Sequence, residues 1–186
     1  MTVSDILRET EALGGMPLPE DLSLFYGALS RAVVTVDRLR PTVRAYTVEN
    51  KEGTFSEGKF EGYIDCDMAK AVKDFLSFAS PVCSVNDFRI SEGHILSLPS
   101  GYAGKVTVLY HPVLPRYKKG DEEKTLPLPD DLVRLVPLLC AASIAFEDDP
   151  ERASFLLQSY FTEAKAIERL RRPASKSGVT VLDGWC

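Results

Sequence analysis

The sequence predicts an α+β fold, a small bundle of about four helices with an inserted antiparallel β-sheet or sandwich lobe. Three observations predict it. Apolar residues recur at spacings of three and four from Val3 to Leu39, alternate at period two from Thr42 to Tyr110, and return to helical spacing after Pro129. The changes of period divide the chain into N-terminal helices (1–41), a β lobe (42–111), a Pro-rich linker (112–129), a C-terminal helical hairpin packing on the first helices (130–173), and a flexible tail (174–186).

Taken in order, Ser4 and Asp5 are suited to cap a first short helix that stops at Gly14-Gly15, and Pro17-Leu18-Pro19 forms the break. A second helix is expected from Pro19-Glu20 to Pro41, with Leu22, Phe25, Tyr26, Leu29, Ala32, Val33 and Val36 as one apolar stripe. In the β lobe Val43, Ala45 and Thr47 alternate with Arg44, Tyr46 and Val48, and the Asn50–Gly53 and Ser56–Gly58 clusters read as turns. Val72, Phe75, Leu76 and Phe78 are spaced for a short helix, and Lys105–Tyr110 is the strongest strand. The stretch from His111 to Pro129 holds four prolines around a charged run and reads as a solvated loop. Asp130 or Asp131 then caps an almost wholly apolar, buried helix running to Phe146, which Pro137 either kinks or restarts. Asp149, Pro150 and Glu151 begin a last helix with Ala153, Leu157, Tyr160, Phe161, Ala164, Ile167 and Leu170 on its inner stripe. Val179–Leu182 is a candidate terminal strand.

Composition narrows the function classes. The 186 residues are 45% hydrophobic and 26% charged, an ordinary globular balance, and suffice to bury roughly 70% of the unfolded surface. The longest apolar run falls short of the roughly 20 residues a membrane span needs, and Met1–Asp5 does not read as the start of a signal peptide, so a cytosolic origin is expected. The net charge of −5 disfavours direct nucleic-acid binding, which depends on clustered Lys and Arg. The four cysteines, Cys66, Cys83, Cys140 and Cys186, form no C-x-x-C pair, and Cys140 reads as a buried small hydrophobe.

Catalytic signatures are absent. His94 and His111 have no paired ligand spacing, and the chain lacks a nucleophile elbow, a P-loop and a dinucleotide fingerprint, so no enzyme activity, catalytic residue, cofactor or metal is expected. Glu147-Asp148-Asp149 reads as a helix cap in a solvated corner. Two other classes stay open on the residues alone. A carbohydrate or ligand module predicts an exposed platform from Tyr46, Phe60, Tyr63, Phe75 and Phe78; an enzyme using Asp65, Asp67 and Asp87 predicts a cleft with raised carboxyl pKa values.

The strand Gly104–Tyr110, a Pro-containing link, a Leu-Pro-x-Asp helix start, a buried helix leading through Ala141-Ala142 to Glu147-Asp148-Asp149-Pro150, a helix carrying Tyr160 and the closing Val181–Trp185 resemble the head-to-tail connector (adaptor, head-completion) proteins of tailed bacteriophages and prophages. The likeness covers residues 19–40 and 102–185, and the β region is larger than the hairpin of the smallest members. The resemblance implies a structural ring, typically of twelve subunits, below the portal. Its partners would be other copies of itself, the portal and neck or tail proteins, with the subunit in the host cytoplasm before assembly and in the virion neck after it. An acidic channel wall that does not hold phosphate suits passage of DNA. Trp185, with Arg169, Arg171 and Arg172, is the candidate partner interface, an aromatic anchor on a tail; packing of Trp185 on its own domain is the alternative.

Overall fold

The computed structural model describes residues 1–15, 17–18, 21–49 and 54–171, without the side chains of Leu170 and Arg171. The expected Asn50–Gly53 turn, the Val179–Leu182 strand, Arg172 and Trp185 lie outside the described residues. The architecture is α+β, and the chain divides into two compact units, Met1–Leu39 with Tyr117–Cys186, and Arg40–Arg116.

In the helical unit, α1 (Val3–Gly14) is capped by Thr2 rather than by Ser4 or Asp5. Thr2 Oγ1 accepts from Asp5 N at 3.2 Å and Asp5 Oδ2 accepts from Thr2 N at 2.9 Å, so the pair satisfies two otherwise orphaned donors reciprocally. Gly15, at φ 69°, closes the helix in the left-handed region that glycine adopts without a Cβ penalty. Helix α2 (Ser23–Asp37) starts later than expected, where the Asp21 carboxylate accepts from Ser23 N at 3.0 Å, and ends before Pro41. Its stripe, Phe25, Tyr26, Ala28, Leu29, Ala32, Val33 and Val36, is buried.

The expected continuous helix from Asp130 to Phe146 is two: α4 (Asp130–Val133) and α5 (Val136–Ala145). Pro137 has no N–H to donate, so it is accommodated in the first turn of α5, and the helix restarts there instead of kinking. All α5 residues but Ser143 are apolar, and the helix packs against α1, α2 and α6 (Pro150–Arg171), which is why apolar residues surround its axis. Asp149 caps α6, accepting from Arg152 N at 3.0 Å. The inner stripe of α6 is Ala153, Leu156, Tyr160, Ala164 and Ile167; Leu157 is only half-buried and Phe161 is exposed, contrary to expectation.

Residues 117–129, expected as a solvated loop, are instead built into this unit. Tyr117, Asp121, Leu126 and Leu128 are buried. The backbone pairs with the start of α1 through Val3 N to Lys124 O (3.0 Å), Ser4 N to Glu122 O (2.9 Å) and Leu126 N to Met1 O (3.2 Å). Tyr26 donates its hydroxyl to Glu122 at 2.6 Å.

The β unit contains two antiparallel sheets. One has the order β1 (Arg44–Glu49), β7 (Lys105–Pro112), β4 (Phe75–Cys83); the other has the order β2 (Ser56–Glu57), β3 (Tyr63–Asp67), β6 (Ile95–Pro99), β5 (Arg89–Ser91). Ser56-Glu57, expected in a turn, is therefore a short strand. The expected helix around Phe75 is displaced: α3 (Met68–Ala71) is a single turn capped by Asp67, and Phe75–Phe78 belong to β4. Alternation puts Val48, Val106, Val108 and Tyr110 of the first sheet and Cys66, Leu96 and Leu98 of the second into one core with Met68 and Val72.

Candidate functional site

The candidate chemistry of the β unit separates into individual structural roles. Asp65 Oδ2 accepts from Lys59 N at 3.0 Å, Asp67 Oδ1 caps α3 through Ala69 N and Lys70 N at 3.1 and 3.3 Å, and Asp87 accepts from the Tyr63 hydroxyl at 3.2 Å. Burial works to raise the Asp67 carboxyl, but the hydrogen bonds and charge of Lys70, helped by His94, hold it below its ordinary value, the opposite of what a general acid requires. His94 Nδ1 sits 2.8 Å from Glu92 O and His111 Nδ1 2.9 Å from Thr42 O. Among the described residues no three His, Cys, Asp or Glu side chains converge to hold a metal.

The aromatics expected as a platform are split up. Phe60 and Tyr63 meet edge to face at 6.3 Å, and the Arg89 guanidinium lies 4.8 and 4.6 Å from their ring centres, covering them. Phe75 and Phe78 pack on the core with Tyr110, and Tyr46 stands on β1. Beside Tyr63, the face carrying Asp65, Ser91 and Ser97 holds three buried polar atoms with no protein partner: Asp65 Oδ1, Ser91 Oγ and Ser97 Oγ. Gly58 closes against this face, since a Cβ there would stand 2.4 Å from Tyr63 O and 3.2 Å from Asp65 Oδ1.

The helical unit presents a different surface. Phe146, Phe155 and Phe161 are 66%, 67% and 56% exposed, within one helical hairpin. Phe155 and Phe161, six residues apart, stand about 120° apart around α6 and flank its inner stripe on two sides, while Phe146 lies at the turn after α5. Phe155 also borders a groove of about 520 Å³ between the end of α1 and the start of α6, lined by Ala12, Leu13, Glu151, Arg152, Phe155 and Leu156. Arg152 shapes this groove. Helix α1 has no basic residue in its last turn, and Arg152 supplies the missing cation from α6, donating Nε to Leu13 O at 2.9 Å and Nη2 to the same oxygen.

Of the residues expected at a partner interface, Arg169 is exposed on α6, the Arg171 side chain is not described, and Arg172 and Trp185 lie outside the described residues. Phe146, Phe155 and Arg152 were not expected there. For Phe155 a signal existed: it lies about 100° around α6 from Leu156, off the inner stripe, so helical geometry alone turns it outward. The sequence matches no protein-family model and no curated protein.

Proposed function

We propose that this chain is a structural subunit of a phage or prophage head-to-tail connector, assembling as a ring below the portal and docking neck or tail proteins. The observation that carries the reading is the hairpin of α5 and α6: its inner side is complete without Phe146, Phe155 and Phe161, which are left exposed for a partner. The sequence resemblance supplies the identity of that partner class. No helix among the described residues is long and apolar enough to cross a membrane, and the chain's net charge of −5 disfavours nucleic acid as a direct partner.

Sequencing the DNA on either side of the gene tests the proposal. Portal, capsid or tail-tube genes as neighbours are the expected result. Neighbours devoted to sugar uptake or metabolism would overturn it and turn attention to the β unit.

A further inference from the structure

We propose that Trp185, on the chain's own C-terminal segment, seats in the groove between the end of α1 and the start of α6. The groove suits an aromatic occupant. Its volume is about 520 Å³, within the roughly 300–1,000 Å³ of sites that hold small organic groups. Its walls are mainly apolar, from Ala12, Leu13, Phe155 and Leu156, and Phe155 stays 67% exposed although the inner stripe of α6 is complete without it. Two polar side chains stand among these walls. Arg152 is held by its bonds to Leu13 O and is half-exposed, so a guanidinium is fixed in the groove where an aromatic ring can stack on it; Glu151, exposed, supplies an acceptor. An indole matches this set, with a large apolar ring for Phe155 and the aliphatic walls, a π face for the guanidinium and one N–H for the carboxylate.

The chain supplies one such residue within reach. Trp185 is its only tryptophan, and it follows Arg171, the last residue of α6, by fourteen positions. From Arg171 back to Arg152 is nineteen residues of helix, about 29 Å at roughly 1.5 Å per residue. Fourteen residues span up to about 46 Å, so the segment can reverse and still reach the groove of its own chain. The tether also decides between that groove and the groove of a second copy. A short tether presents its end at an effective concentration on the order of mM, so seating within one chain wins wherever the protein is more dilute than that. The contact forms in the isolated chain and does not rest on the connector reading. It leaves Phe146 and Phe161 open; within the connector reading, and resting on it, the seated segment covers Phe155 until a neighbouring subunit displaces it.

Tryptophan fluorescence of the intact chain tests the seating directly, because Trp185 is the sole source of the signal. The expected emission is blue-shifted from that of N-acetyltryptophanamide, acrylamide quenching is several-fold weaker than for that free probe, and neither depends on protein concentration. Phe155→Ser should move both to the values of the free probe while the far-UV circular dichroism stays unchanged, since Phe155 lies outside the core. Phe161→Ser, about 120° away around α6, should leave them as they are. Three results overturn the proposal: a parent emission equal to that of the free probe, which makes Trp185 solvated; a blue shift that Phe155→Ser does not move, which packs it elsewhere; or a blue shift lost on dilution, which gives it to another copy. None of these outcomes bears on ring assembly, which the neighbouring genes and the portal complex test separately.

Discussion

The two units treat their buried carboxylates differently, although each leaves buried hydroxyls unpaired: Thr10 and Tyr117 in the helical unit, Ser91 and Ser97 in the β unit. In the helical unit Asp121, only 5% exposed, receives Lys118 N at 3.2 Å and the Lys124 ammonium at 2.7 Å; Glu122 receives the Tyr26 hydroxyl at 2.6 Å and Gly120 N at 3.1 Å. In the β unit Asp65 is nearly as buried, yet Oδ1 has no protein partner, and Ser91 and Ser97 on the same face leave their hydroxyls unpaired. The helical unit also exposes the three phenylalanines of one hairpin while its inner stripe is complete. The comparison teaches that its apolar exposure is not a failure of packing. A unit that satisfies its buried carboxylates and fills its core around α5 still presents Phe146, Phe155 and Phe161, and that combination suits an assembly body. The β unit differs in leaving an oxygen of a buried carboxylate, Asp65 Oδ1, without a protein partner.

The largest expected effect breaks the helical side of the comparison. Leu135 is fully buried between α4 and α5, and Leu135→Ala should cost about 2–5 kcal/mol in urea unfolding, from lost burial and the cavity left behind. Leu139 is half-buried and should cost less. Leu76→Ala on β4, where the side chain is 63% exposed, should stay within about 0.5 kcal/mol. Equal losses at Leu135 and Leu76 would refute the assignment of α5 and its flanks as the core.

A smaller effect belongs to the β unit. Gly58→Ala forces a Cβ to within 2.4 Å of a backbone oxygen, and the turn roofing Asp65 must shift, at a cost of about 1–3 kcal/mol. A melting temperature equal to that of the parent would show that this roof is not close-packed.

The smallest expected effect is set by pH. Hydrogen bonding from Lys124 holds the Asp121 carboxyl below 3.8, and hydrogen bonding from Tyr26 holds Glu122 below 4.5, so both bind protons less readily folded than unfolded. Their contribution is present above those ordinary values and is lost as pH falls through the lower folded ones. The urea midpoint should decline on acidification below about pH 4.5, and Glu122→Gln should flatten the decline. An unaltered acid limb in that variant would remove Glu122 from the account.

Much of the fold was legible because period and caps are local. The shift from helical spacing to alternation and back marks the α+β class, and Asp149-Pro150-Glu151 marks the start of α6 from three adjacent residues. The packed 117–128 segment was not legible. Tyr117 stands among charged residues and Leu126 and Leu128 among prolines, so no helical period shows, and the start of α1, which bonds to Glu122, Lys124 and Leu126 of the segment, lies more than a hundred residues away in sequence. Phe161 was misassigned because it adjoins Tyr160 in sequence, although a helix turns it about 100° away. The groove beside Arg152 depends on a bond to Leu13 O across 139 residues, which no motif announces.

The central claim is that the exposed phenylalanines of the α5–α6 hairpin are assembly contacts. Its most direct test is negative-stain electron microscopy of the chain mixed with the portal ring from its own genome, comparing the parent with Phe155→Ser combined with Phe161→Ser. At 67% and 56% exposure these changes should leave melting nearly unchanged. The account predicts added ring density below the portal for the parent and its loss in the double variant. Undiminished ring density with the double variant, or none with the parent, would contradict it.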